Sequence, residues 1–306
     1  MSIKVIIDCD PGTDDAIALM LAAASPELEI IGIAAVAGLT NVRQVAANAS
    51  RILALSENPA IPVAIGAEQP LVRQLSFNHA YCGADGLLGE DWPYADQPLP
   101  SLTATQIYET AFAQENLSPT VISIGPMTNL AAFIQSGGQI SRMITASGNY
   151  GVFREPNRVN PRSSWNLRTD PEAADLIFQS VPDITAVGLD ISLRLNNTMV
   201  ERLVRQANPH SAQTQFLMKA IELNLKKGLE PYSLLVDSLA VAQAIRPELS
   251  QLTTGYVRID TGSQLLTGNT IFTSAGIHKD VICNVSAAYE FDFDQFLELL
   301  AERVFC

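Results

Sequence analysis

From residue 4 to residue 188 the chain alternates between apolar runs too short to be helices and amphipathic stretches too long to be strands. No other feature limits the available folds as much. The runs "KVIID", "LEIIGIAAVA", "IPVAIG", "PTVISIG", "RMITASG" and "DITAVG" read as buried strands. Between them "DDAIALMLAAAS", "NVRQVAANASRILALS", "TATQIYETAFAQE", "TNLAAFIQSG" and "DPEAADLIFQS" read as helices. Near-continuous apolar strands joined through helices are βαβ units, so the expected class is α/β: an open, mainly parallel sheet flanked by helices. Asp170, Pro171 and Glu172 mark one helix start clearly, with a capping acceptor, a proline in the first turn and an acid facing the helix dipole. After about residue 190 the pattern turns more helical and ends in "YEFDFDQFLELLAERV", a C-terminal helix. With no tandem repeat, low-complexity tract or linker, residues 1–306 are expected to form a single domain.

Two segments break the rhythm. Residues 67–101 and 149–166 are rich in Pro, Gly, Asn and aromatic side chains; long irregular loops in a compact domain are usually functional or disordered, and the aromatic content favours ordered loops that line a site. The formal charge of −13 argues against a nucleic-acid partner, which would need clustered Lys and Arg. The start of the chain lacks signal-peptide features and no run of about eighteen apolar residues occurs, so a cytoplasmic protein with no membrane partner is expected. Cys9, Cys82, Cys283 and Cys306 show no CxxC spacing, and neither a zinc site nor a disulfide framework is implied.

The stretch "DCDPGTDDAIALM" places Asp8, Asp10, Asp14 and Asp15 where the first strand hands over to the first helix. In open α/β sheets that is where ligands bind, beyond the carboxyl ends of the strands. Carboxylates this dense raise one another's pKa unless a positive charge sits among them, and an all-oxygen ligand set favours Ca²⁺ or Mg²⁺ over zinc. An acidic pair in a first helical turn can also be simple capping, but four acids around a Pro-Gly turn exceed what a cap requires. The EF-hand pattern is absent.

This stretch closely resembles the N-terminal signature of the nucleoside hydrolase family, whose members cleave the N-glycosidic bond of ribonucleosides around a bound Ca²⁺. The segments "SIGPMTNLA", "WNLRTDPEAA" and "VDSLAVA" follow in the family's order and at about its spacing, from residue 3 to about 245. The resemblance implies Asp10, Asp15, the carbonyl of Ile124 and Asp237 as metal ligands, with Asp237 also facing the substrate. It implies Asp10 as general base, Asp14 as the group that grips a ribose hydroxyl, and Asn166 as a further hydrogen-bonding partner of the sugar. Asp8 falls behind the ligands, orienting the loop. Asp237 also reads as the N-cap of "SLAVAQAI", which ligation does not contradict. A homodimer or homotetramer acting on a small-molecule ribonucleoside is the corresponding expectation.

The chain departs from the family pattern around the substrate. Leu39 stands where an Asn is usual, with Asn41 two places on, and Val236 replaces the His thought to protonate the departing base. Cys82 replaces a second family His, and reads either as a weak acid or as a small packed residue. Ser164 takes the place of the acid expected to bind the ribose 5′-hydroxyl, and Arg158 aligns with an upstream Asn. Arg158 and Arg162 read as contacts to a polar substituent or as solvated loop charges; of His79, His210 and His278, only His79 falls in a site-side loop. Three activities follow from this mixture: calcium-dependent hydrolysis of a ribonucleoside to ribose and base, hydrolysis of a non-standard riboside, or ribose or nucleoside binding with little turnover.

Overall fold

The computed structural model describes residues 2–77, 83–87, 89, 99–113, 118–151, 163–277 and 281–306. Cys82, His79, Arg158, Arg162 and His278 lie outside the described residues. Among the described residues ten strands form one sheet: β1 (Ile3–Cys9), β2 (Leu28–Ala35), β3 (Val63–Ile65), β4 (Leu102–Thr103), β5 (Thr120–Ser123), β6 (Met143–Thr145), β7 (Ile184–Ala186), β8 (Ser250–Ile259), β9 (Thr270–Ser274) and β10 (Val285–Phe291). Their spatial order is β4-β3-β2-β1-β5-β6-β7-β10-β8-β9. Pairings from β4 through β10 are parallel, and only β8 and β9 run antiparallel to their neighbours. The chain winds outward on one side of β1 through β2, β3 and β4, then returns to β1's other side at β5. The order therefore reverses at β1, and a crevice opens there at the carboxyl ends of the strands.

Helices cover both faces. Strand alternation in β1 sends Val5, Ile7 and Cys9 into a core shared with α1 (Thr13–Ala23), α2 (Val42–Leu55), α9 (Ala212–Lys226), α10 (Ser238–Ile245) and α11 (Phe293–Arg303). Ile6 points the other way, toward α3 (Ala104–Phe112), α4 (Thr128–Gln135) and α6 (Pro171–Ser180). Asp8 shares the face of Ile6, and so is carried into that second core rather than into water. The short α5 (Trp165–Thr169), α7 (Leu189–Ser192) and α8 (Asn197–Gln206) complete the helices described. The last third supplies the expected C-terminal helix and also the antiparallel arm. In β8, Gly255, Val257 and Ile259 are buried while their neighbours are not, the alternation of a strand with one solvated face.

The first irregular segment begins as a strap pinned along the carboxyl edge of the sheet. Ala67 donates its N–H to Asn129 Oδ1 (2.7 Å), and Leu71 donates to Asp170 Oδ2 (2.8 Å). Arg73 grips Glu172 with two nitrogens and donates to the Thr261 carbonyl (2.7 Å). Asp170 also caps α6 through the Ala173 N–H (3.1 Å), as its place before Pro171 implies.

Candidate active site

The crevice at β1 holds a cavity of about 230 Å³ whose floor is acidic and whose walls are largely apolar. Asp10, Asp14, Asp15 and Asp237 line it together with Ile124, Ser164 and Asn166, while Leu39, Ala146, Leu189 and Val236 supply apolar wall. A larger groove beside β3 and β4, about 450 Å³, is lined by residues such as Leu53, Pro59, Ile61 and Leu102, with no titratable side chain among its described lining residues. Among the described residues, the groups suited to acid–base and metal chemistry gather at the cavity.

Each acid is placed by local structure. Asp10 directly follows β1, and its Oδ2 accepts the Leu39 N–H (2.8 Å). That contact requires glycine at 38, since a Cβ there would lie 2.1 Å from Asp10 Oδ2. Asp15, in the first turn of α1, reaches back to accept the Gly12 N–H (3.0 Å), the reciprocal half of a capping box. Asp237 precedes α10 but makes no side-chain capping bond. Its carboxylate instead joins those of Asp14 and Asp15, and one oxygen from each of the three lies within 4.8 Å of the others. The Ile124 N–H donates to the Asp8 carbonyl (2.9 Å), holding the β5 terminus beside the acidic turn, and the Ile124 carbonyl accepts Asn166 Nδ2 (2.5 Å).

Burial controls the electrostatics. Desolvation, reinforced by the Asp14 charge, pushes the Asp15 carboxyl up to about 8. Asp10 and Asp237 are raised by desolvation and then by their acidic neighbours, and Asp14 is raised mainly by desolvation. Behind them Asp8 is pushed up to about 7 by burial, against the opposing pull of hydrogen bonds from the Tyr108 hydroxyl (2.6 Å) and Asn129 Nδ2 (2.9 Å). Asp14 Oδ1 and Asp15 Oδ1 are buried acceptors with no hydrogen-bond partner. Unsatisfied buried carboxylate oxygens are costly, and an ion that accepts hard oxygen ligands removes that cost. The donor set fits such an ion: all oxygen, with no thiolate or imidazole among the described lining residues.

Of the residues expected from the sequence, Asp10, Asp14, Asp15, Ile124, Ser164, Asn166 and Asp237 meet at this one cavity. The compact carboxylate triple contains Asp14 rather than Asp10, which stands at its side against Leu39. Ser164 Oγ accepts the Gly148 N–H (3.1 Å), drawing together the two ends of the segment between them. The sequence reading did not single out Trp165, Leu189 or Ser233 as lining residues, nor Tyr108 and Asn129 as the partners of Asp8. Asn129 stands inside the quoted "TNLA" segment, but nothing local tells that its amide turns toward Asp8.

The profile of the family described as "Inosine-uridine preferring nucleoside hydrolase" matches residues 5–298. The pyrimidine-specific ribonucleoside hydrolase RihA of Salmonella agona is 31% identical over 313 aligned positions, with 99% of each chain covered. The protein of the same name from Photobacterium profundum is 33% identical over 310, again with 99% of each covered. Among solved structures, a plant nucleoside hydrolase superposes with a TM-score of 0.86 at 29% identity over 100% of both chains. A purine-preferring ribonucleoside hydrolase from Gardnerella vaginalis shares the fold, with a TM-score of 0.82 at 23% identity over 98% of each chain.

Proposed function

The chain belongs to the inosine-uridine preferring nucleoside hydrolase family of N-glycosyl hydrolases, and from that premise we propose that it hydrolyses a ribonucleoside to ribose and free base with the help of Ca²⁺. The observation that carries this reading is the convergence of Asp14, Asp15 and Asp237, two of them with orphaned buried oxygens, on the floor of one cavity. Asp10, Asp15, Asp237 and the Ile124 carbonyl would hold the ion, which when bound supplies a water of lowered pKa and coordination for vicinal sugar hydroxyls.

The remaining chemistry belongs to the side chains. Asp14 grips a ribose hydroxyl and Asn166 a second sugar oxygen. Breaking the C1′–N bond leaves positive charge on the sugar, which the surrounding carboxylates stabilise. Water oxygen bonds to C1′ as the electron pair of the broken bond passes to the base nitrogen. Its proton goes to Asp10, on Oδ1, the oxygen that Leu39 does not engage. Leu39, Leu189 and Val236 keep bulk water from this event and offer the base an apolar wall. An apolar side chain at Val236 cannot donate a proton to the base, which favours substrates whose base leaves readily.

The test is release of free ribose from a panel of purine, pyrimidine and non-standard ribosides, before and after chelation and after readdition of Ca²⁺ or Mg²⁺. Release that chelation abolishes and Ca²⁺ restores is the expected result. Release indifferent to chelation removes the ion from the mechanism, and tight ribose binding with no release from any riboside replaces turnover by binding.

A further inference from the structure

Asn48 does not line the cavity, yet its side chain is wholly buried and bonds both the acidic turn and a separate loop. The amide nitrogen donates to the Pro11 carbonyl (2.9 Å) and to the Asp85 carbonyl (2.7 Å). Two carbonyl acceptors demand an NH₂ group, so the amide has one possible orientation, and Gln44 Nε2 (3.0 Å) and, at longer range, Arg51 Nη1 (3.5 Å) support it by donating to Asn48 Oδ1. The segment 83–87 thus rests against the acidic turn. Its own form is set by Asp85, whose Oδ1 accepts the N–H groups of Leu87 (3.1 Å) and Gly89 (2.8 Å), and by Gly86 at φ +79°, where a side chain would be strained. A second tether runs from the Thr40 hydroxyl to the Ala84 carbonyl (2.9 Å).

The peptide that carries Pro11 joins Asp10 to the helix bearing Asp14 and Asp15. Its geometry is held at three points: Asp10 by the Leu39 N–H, the Pro11 carbonyl by Asn48, and the Gly12 N–H by Asp15. Of these three, only the Asn48 bond reaches beyond the acidic turn and its cavity neighbours to a separate loop. We propose that Asn48 is a positioning residue for the cation site, and that through its shared amide cation binding and docking of the 83–87 turn stabilise one another. This inference rests on the proposed cation binding by the acidic cluster. Without the amide, two buried carbonyls lose their donor, the acidic turn loses its fixed geometry, and the 83–87 turn is released at the same time.

The experiment measures Ca²⁺ binding to the purified full chain by calorimetry, together with hydrogen exchange of the 83–89 amides with and without Ca²⁺. In the native chain Ca²⁺ should slow exchange at Leu87 and Gly89. In Asn48→Leu the dissociation constant for Ca²⁺ should rise about 10- to 100-fold, in the range seen when partners behind metal ligands are removed, and Ca²⁺ should no longer slow that exchange. Gln44→Leu, at a half-buried position, removes the shorter of the two bonds to Asn48 Oδ1 and leaves the carbonyl contacts and Arg51 in place, so it loosens the amide and should shift both readouts in the same direction by less. It decides the matter if Asn48→Leu does not fold. Native Ca²⁺ affinity with native protection of the turn in a folded Asn48→Leu, or in Gln44→Leu when the former does not fold, overturns the positioning role alone. Absence of Ca²⁺ binding by the native chain overturns the proposed cation site and this inference with it.

Discussion

At the scale of single residues, the cavity floor is a set of carboxylates whose burial makes each a worse anion than it is in water. That cost is the physical reason a cation belongs there. Asp10 is the critical case, because it stands beside the Asp14, Asp15 and Asp237 triple rather than in it. Asp10→Asn keeps the shape and the acceptor for Leu39 while removing the charge and the proton-accepting oxygen. Turnover should fall by about 10²-fold or more, and Ca²⁺ affinity should fall with it. A kcat loss with unchanged affinity in calorimetry would leave Asp10 as a base but not a ligand. Much of this floor is legible in the sequence, because Asp10, Asp14 and Asp15 fall within one turn and their spacing is local. The partners of Asp8 are not, since Tyr108 and Asn129 reach it only after two helices have packed on that face of the sheet.

At the scale of elements, the strap over residues 66–77 shows how a segment with little regular structure is held in place. Asp170 serves three partners at once: the Ala173 N–H of its own helix, the Leu71 N–H of the strap and the Thr128 hydroxyl of α4 (2.7 Å). Arg73 and Glu172 form a bidentate pair that keeps partial contact with solvent. These differ in weight. Asp170→Ala should lower unfolding free energy by about 2 kcal/mol, through the lost cap and two stranded donors. Arg73→Ala should cost about 1 kcal/mol or less, because a half-exposed pair is screened. Denaturant midpoints at constant slope measure both, and equal losses would mean that the strap hangs on the ion pair instead. The capping role of Asp170 is readable from "DPEAA", whereas its bonds to Leu71 and Thr128 join segments far apart in sequence. The β8–β9 arm was likewise hidden, because "LTTGYVRI" alternates only in its second half and carries threonine where an apolar run would announce a strand.

At the scale of the whole molecule, the acidic floor ties stability to pH with a definite sign. Asp15, raised to about 8, keeps its proton in the ion-free folded chain at pH values where the unfolded chain, titrating near 3.8, has lost it. Asp10, Asp14 and Asp237 are raised in the same direction. Folded protein therefore binds more protons than unfolded protein between about pH 4 and 8, and this contribution to stability is lost as pH rises through that window. A Ca²⁺ bound as proposed would displace those protons, so its affinity should strengthen by about tenfold per pH unit for each proton released, and the rise in Tm on adding it should grow from pH 5 to pH 8. A Tm increment that is flat or shrinks with pH would mean that the carboxylates are already ionised without the ion. The parallel sheet was foreseeable from the strand and helix rhythm. The reversal of strand order at β1 was not, because it depends on which neighbour each short strand selects.

That reversal has a consequence for how the protein is made. The carboxylates of the triple come from the first helix and from residue 237, on opposite sides of most of the sheet's assembly in chain order. A ribosome-bound fragment that has emerged only as far as β7 carries the acidic turn without its distant partner. Such a fragment would gain little from the cation, and capture of the ion proposed for the site would wait for residue 237 instead of seeding the first steps of folding.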